Sequence, residues 1–374
     1  MYIASADPKE IISAITKMEI KKDDVVAIMI GEKNKPDINK MISELNGKGI
    51  EFFGGVFPGI IYGNQKYEEG SILMVLPALT KPLLIKELQT EQFEIPHSID
   101  ELIENQSKKY TAMIMVDGLN SNNSLFLKEI FNRLGNSVNY FGGGAGSWTL
   151  KQEACLFTSE GFVQDAAIVT FIKLESNLGV RHGWERIMGP FVATKTRKNI
   201  IMELNWKNAF KVYREAVESN SGEKLTPENF FDIAKAYPFG IHKEGTEDIV
   251  RDTFAVNEKG ELICAGEIPE NTVLSILEGS QASLIHAAGQ AADDCLRIGV
   301  RTIRQILIVD CISRVIYLEK KFAEELEAVN HKIHFLGDRH IPLGILTLGE
   351  ISSYGEGFLE FFNKTIVVGI LYER

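Results

Sequence analysis

A strand ending in paired glycines occurs twice in the first half of this chain, as FFGG at 52–55 and YFGG at 140–143, and each copy closes the same succession of elements. The first succession opens at 25–30 (VVAIMI), an uninterrupted apolar run of the kind found in strands buried on both faces, ended by Gly31. Pro36 then opens a helix whose apolar side is Ile38, Met41, Ile42 and Leu45; Gly47 and Gly49 stop it, and 50–53 returns as a strand. About 87 residues later the plan recurs with 112–116, the helical stripe Leu127, Ile130, Phe131 and Leu134, and 138–141. Each glycine pair is followed by one more apolar strand, at 72–76 and 167–172. Short buried strands joined by helical crossovers predict a largely parallel α/β sheet, built from a duplicated strand–helix–strand unit.

A preceding helix starts at Asp7, Pro8 and Glu10, a cap, a first-turn proline and a capping-box acid, and turns Ile11, Ile12, Ile15 and Met18 inward. The second region starts near Pro190. It reads as a hairpin (191–196 and 200–204, with Arg197, Lys198 and Asn199 at the turn), helices at 207–219 and 227–236, and strands at 249–256, 262–265 and 273–277. An Ala-rich helix at 281–298, a strand at 306–310, a helix through Leu318, Phe322, Leu326 and Val329, and strands at 343–348 and 364–372 complete it. The expected architecture is two packed α/β domains, 1–195 and 196–374.

Composition removes several functions. A net charge of −11 opposes general nucleic-acid binding, which needs a basic face, and opposes docking on an anionic membrane. No apolar run reaches the roughly 20 residues of a membrane span, and no signal-peptide pattern opens the chain. Cys155, Cys264, Cys295 and Cys311 have neither disulfide-framework nor zinc-site spacing, which suits a reducing cytoplasm, and no metal site is expected.

Catalytic signatures are absent: there is no Walker-type phosphate loop, no G-x-S-x-G elbow and no H-E-x-x-H. What remains are polar groups at strand ends. Gly142, Gly143, Gly144 and Ser147 form a glycine-rich stretch that either admits a ligand to the backbone or makes a tight turn. Arg251 lies inside an apolar strand, where its charge must be paired internally or meet an anion. Cys311 ends a strand, with Arg314 close behind it and Glu350 at another strand end. Arg314 then either contacts an anionic ligand or forms an ion pair with Glu350, and Cys311 as a nucleophile is the enzymatic alternative. His182 sits in a glycine-flanked turn. His331, His334 and His340 lie close in sequence and read as a polar helix end, and His286 reads as a core residue.

These segments together resemble the FIST (F-box and intracellular signal transduction) family, an N-type region followed by a C-type region. The resemblance is carried by YFGGGAGS (140–147), GVRHGWERIMGPFVATKT (179–196), YPFGI (237–241), DIVRDTFAVNEKGELICAGEIPENT (248–272), LIVDCISR (307–314) and LTLGEIS (346–352). It implies a ligand-sensing module rather than an enzyme, with a small molecule, amino-acid-like or anionic, in an inter-domain cleft. It also implies output to a separate signalling protein such as a histidine kinase. No cofactor is expected from the residues themselves; the resemblance makes haem, with His182 as axial ligand, an alternative. The cleft is expected to gather Gly142–Gly144, Ser147, Arg251, Cys311, Arg314 and Glu350.

Overall fold

The computed structural model describes residues 1–5, 7–90, 92–101, 110–243, 247–296, 302–337, 340–353 and 359–373. The mixed α/β character expected from the sequence is present, but the repeating unit occurs three times rather than twice, and its sheets are largely antiparallel instead of parallel, with one parallel pair in each. In the first unit a leading strand (Tyr2–Ile3) and a helix (Pro8–Thr16) precede a central strand (Asp24–Gly31). A second helix (Ile38–Gly47), a parallel strand (Phe52–Phe57), a hairpin (Gly59–Tyr62 with Gln65–Tyr67) and a return strand (Ser71–Pro77) follow. The second unit runs through Leu83–Lys86, Ser98–Glu101, Tyr110–Asp117, Asn123–Leu134, Val138–Ala145, the hairpin Leu156–Thr158 with Gly161–Val163, and Ala166–Ile172. The third runs through Glu175–Arg181, Gln281–Leu296, Thr302–Cys311, the helices Ile312–Leu318 and Phe322–Ile333, Leu343–Thr347, the hairpin Glu350–Ser353 with Leu359–Phe362, and Ile366–Glu373.

In every unit the central strand pairs parallel with its parallel strand and antiparallel with its return strand. The hairpins are traded around the ring. That of the first unit completes the third unit's sheet, that of the second completes the first's, and that of the third completes the second's. Each exchanged hairpin covers the edge that its neighbour's parallel strand would otherwise expose. A side-chain bond repeats with the topology: Asn46 Nδ2 donates to Ser159 O and Asn330 Nδ2 to Gly63 O, each tying a helix end to the turn of the hairpin lying on it.

Three six-stranded sheets result, and their inner faces share one core that joins Met29, Phe53, Met113, Met115, Phe141, Leu307, Val309 and Ile345. Each sheet buries its outer face under its own helices, as the helical spacings predicted for Ile38, Met41 and Leu45 and for Leu318, Phe322, Leu326 and Val329. His286 departs from expectation, lying exposed on the Ala-rich helix, and the last two residues predicted for that helix, 297–298, fall outside the described residues.

Residues 185–278 interrupt the third unit between its leading strand and first helix, and form a separate layer: a twisted antiparallel sheet with a core of its own under the helix Ala209–Ser221. A cut between 195 and 196 falls inside the strand Glu185–Arg197, and the third unit draws on both sides of it, since Glu175–Arg181 pairs with Ile366–Glu373. Among the described residues no helix is long and apolar enough to cross a membrane.

Candidate functional site

The three units provide an internal control, because their strand registers assign every residue an equivalent. Gly54, Gly142 and Gly344 occupy one position, each paired with an isoleucine of the central strand: Ile28, Ile114 and Ile308. A Cβ at these glycines would lie 2.0, 1.7 and 2.3 Å from the carbonyl oxygen of its isoleucine. Gly143 is less tightly enclosed but still crowded, its Cβ position 2.6 Å from Thr347 Cγ2, and that of Gly144 is 2.7 Å from Gly118 Cα. The glycine stretch is therefore needed for close packing of strands and neighbouring sheets, and protein atoms fill the space a ligand would approach. Ser147 is buried beside Thr149, whose hydroxyl lies 3.0 Å from its own.

The same comparison isolates the third unit's strand ends. Asp310 stands where the other units have Ile30 and Val116. Glu350 stands where they have Ile60 and Leu156, and Cys311 where they have Gly31 and Asp117. Lys364, two residues before the Asp310 partner Ile366, matches Glu69 and Asp165. Two ionisable groups thus occupy positions that the scaffold elsewhere fills with aliphatic side chains. Asp310, Glu350 and Lys364 are each 0% exposed.

Asp310 has no hydrogen-bond partner on either carboxyl oxygen, with Arg314 Nε 3.5 Å from Oδ1. Bare acceptors in the interior are tolerable when the carboxyl keeps its proton, and burial together with the Glu325 carboxylate pushes Asp310 well above the usual range. Glu350 accepts from Thr347 Oγ1 at 2.9 Å and from the Thr365 amide at 3.2 Å. Burial outweighs these bonds and pushes it up to about 8. The Cys311 thiol is pushed well up by burial and then by Glu350, so it keeps its proton and is a poor nucleophile. Lys364 donates to Lys235 O at 3.0 Å, lies 3.2 Å from Asp252 Oδ1, and stands 5.1 Å above the Trp184 ring. Asp252 in turn accepts from Ser313 Oγ at 2.7 Å.

Two expectations are corrected. Arg314 does not pair with Glu350: its five N–H groups go to Glu325 (3.0 and 2.6 Å), His182 O, Lys364 O and Leu284 O. It is a clamp, with no donor left to offer. His182 is a poor haem ligand. Its Nδ1 accepts the Trp184 amide at 2.8 Å, its Nε2 lies 3.5 Å from Glu247, and its side chain is 7% exposed. Burial lowers its pKa, and axial ligation would require the ring to leave this setting. The residues present do not fit haem at this position.

Gly142, Gly143, Arg251, Cys311 and Glu350 meet at the third unit, and Ser147 does not join them. Gly142 and Gly143 pair with Ile351 and Glu350, and Cys311 pairs with Thr347. Arg251 joins the inserted layer to the third unit's hairpin by donating to Phe361 O at 3.0 Å, beside the Asp252 contacts. Reading the sequence missed Asp310, Glu325, Lys364 and Asp252. An aspartate closing an apolar strand and a lysine just before one were the available signals, at VDC (309–311) and NKTIVV (363–368).

Residues 24–207 match the FIST N domain and residues 209–353 the FIST C domain. A search of curated proteins finds no match.

Proposed function

From the premise that the chain belongs to the FIST family, whose domains are associated with signal transduction and small-ligand sensing, we propose that it is a small-ligand sensor whose responsive centre is the Asp310–Cys311–Glu350–Lys364 junction. The observation that carries the reading is the replacement at Asp310 and Glu350 of side chains that are aliphatic in both other units. The fold does not require ionisable groups there, so the two carboxyls serve something else.

The inserted layer is seated on the third unit through Arg251 to Phe361 O, Ser313 to Asp252, and Lys364 to Asp252 and Lys235 O. A ligand carrying a carboxylate competes for Lys364, and one carrying an ammonium competes for Glu350 and Asp310. An amino-acid-like zwitterion or a small organic anion is the fitting class. Binding that loosens or tightens this seat shifts the population of layer arrangements, provided the ligand distinguishes the two states. The output is a surface read by a separate cytoplasmic signalling protein, a histidine kinase being one such reader. A protonated Cys311 favours binding over turnover.

The test begins with a thermal-shift screen of amino acids and small organic anions, followed by calorimetry on the hits. Glu350→Leu installs the residue that the second unit already carries as Leu156. A hit whose affinity falls at least about tenfold in that variant supports the reading, a loss of about 1.4 kcal/mol. Hits indifferent to the substitution, or no hits at all, would sink it.

A further inference from the structure

The inserted layer leaves and rejoins the third unit through two connectors that run side by side. Residues 182–184 lead into the strand Glu185–Arg197, residues 279–280 lead out of the strand Thr272–Glu278, and Glu185 pairs with Glu278 where the layer begins. Two adjacent points of attachment are the geometry of a hinge. Trp184 is buried in it. Its ring centroid lies 5.0 Å from that of Tyr317, its Nε1 donates to Lys364 O at 3.3 Å, and the Tyr317 hydroxyl donates to Gly279 O on the other connector.

His182 locks the first connector. A peptide N–H can only donate, so Nδ1, which accepts the Trp184 amide at 2.8 Å, carries no proton, and the ring's one hydrogen sits on Nε2, 3.5 Å from Glu247. The backbone around the ring is tied down as well: His182 N donates to Glu247 Oε2 at 3.0 Å, and His182 O accepts from Arg314 at 2.6 Å. Gly183, at φ 79° and with its Cβ position 2.7 Å from Ser283 O, leaves the turn no slack. A second proton would have to enter at Nδ1, head-on to the Trp184 N–H. Two donors cannot share that gap, so the ring turns or the amide withdraws.

The charged groups facing the imidazole are Glu247 and Asp248 of the layer, Arg181 of its own strand and Arg314 of the helix Ile312–Leu318. Both acids are already engaged by arginines, Glu247 by Arg181 and Asp248 by Arg186, and Arg181 also holds Asp294. Burial is the largest influence and opposes the imidazolium, so the closed connector resists the proton that a released one accepts.

We propose that His182 is an acid-released latch: uptake of a second proton frees the connector at Trp184 and lets the inserted layer shift on Lys364, whose ammonium stands 5.1 Å above the Trp184 ring. The latch acts through the connector and stands whether or not the junction binds a ligand. A histidine whose pKa is lowered in the closed form supports that form above the ordinary value of about 6.5 and loses this support as pH falls. Opening should therefore grow by up to about tenfold per pH unit below about 6.5. Asp310 and Glu350, with raised values, titrate in the opposite sense, so a loosening on acidification is not theirs.

The test is nitrogen-15 NMR of the full chain from about pH 8 to about pH 5, the range in which histidine changes charge. The three tryptophans give three indole N–H resonances, and Trp184→Phe assigns the one that matters. Below about pH 6.5 the Trp184 resonance should shift or fade reversibly. Those of Trp148, whose Nε1 donates to Pro58 O at 2.8 Å, and of the exposed Trp206 should hold. His182→Asn places an acceptor oxygen near the Nδ1 position and cannot titrate, so its Trp184 resonance should stay fixed throughout. Circular dichroism checks that this variant folds, and if it does not, the parent decides alone. A Trp184 resonance that never moves in the parent overturns the latch, as does an unaltered transition in folded His182→Asn. All three resonances moving together would mean general acid unfolding, and overturns it too.

Discussion

The second and third units have the same strand order, the same exchanged hairpin and the same crowded glycine, yet they handle polarity in opposite ways. In the second, Asp117 ends the central strand and is fully engaged: it accepts the Leu119 and Asp165 amides and the Gln152 side chain. In the third, Asp310 and Glu350 are sealed inside, one with no bond to either carboxyl oxygen and the other pushed up to about 8. One unit uses a carboxylate to close a turn. The other keeps carboxyls protonated in its interior, a costly arrangement that packing alone does not call for. Among three copies of one scaffold, the copy that breaks the shared pattern is the one in which the responsive centre is proposed.

The sharpest way to break this contrast is at Arg314. Removing one partner of a fully buried ion pair costs about 3–5 kcal/mol, so Arg314→Met should lower urea-denaturation stability by that amount. A ligand-contacting arginine would instead leave stability near that of the parent.

The shared glycine comes next. Gly142→Ala, Gly54→Ala and Gly344→Ala should each destabilise, by about 1–3 kcal/mol for overpacking, with Gly142 worst because its Cβ would come closest to a carbonyl. Gly47→Ala, at a helix position with open space, should be neutral or slightly stabilising. Equal effects at all four positions would undo the equivalence of the units.

The pH dependence follows from the sign of the Glu350 shift. A group whose pKa is raised on folding contributes fully below its unfolded value and loses that contribution as pH climbs towards the folded value. Parent stability should therefore fall between about pH 4.5 and about 8, by up to about 1.4 kcal/mol per pH unit, with buried Asp310 adding in the same direction. Glu350→Leu should flatten the slope and raise stability at pH 8. An unchanged slope in that variant would show that Glu350 is ionised throughout.

The smallest effect concerns the thiols. All four cysteines are buried, and burial raises the pKa of each, so the native protein should show no stoichiometric reaction with Ellman's reagent at neutral pH, while urea should expose all four. Rapid labelling of Cys311 alone would restore the enzymatic alternative.

Local elements were legible because they depend on local physics. The apolar run at 25–30, the stripe Leu127–Ile130–Leu134 and the Asp7 cap, which accepts the Lys9 amide, all declare themselves within a few residues. The third unit did not, because residues 185–278 separate its leading strand from the rest and its parallel strand carries Gly344 alone instead of a glycine pair. The partner of Arg314 was illegible for a different reason. Glu325 sits on the next helix in a row of glutamates, and only packing reveals which of them turns inward.

The trading of hairpins also orders how the chain can be completed as it is made. The strand Gly59–Tyr62 finds its partner in Leu343–Thr347, so a segment emerging near the start of synthesis must wait for one near the end. Until then the first sheet can take up the second unit's hairpin, but its own hairpin has nowhere to pair. The ring closes in one late event, and loop closure over such a span makes that event slow. A chain halted before residue 343 would therefore present an unpaired edge beside Tyr62 and Tyr67, a state open to capture by chaperones or by another unfinished copy.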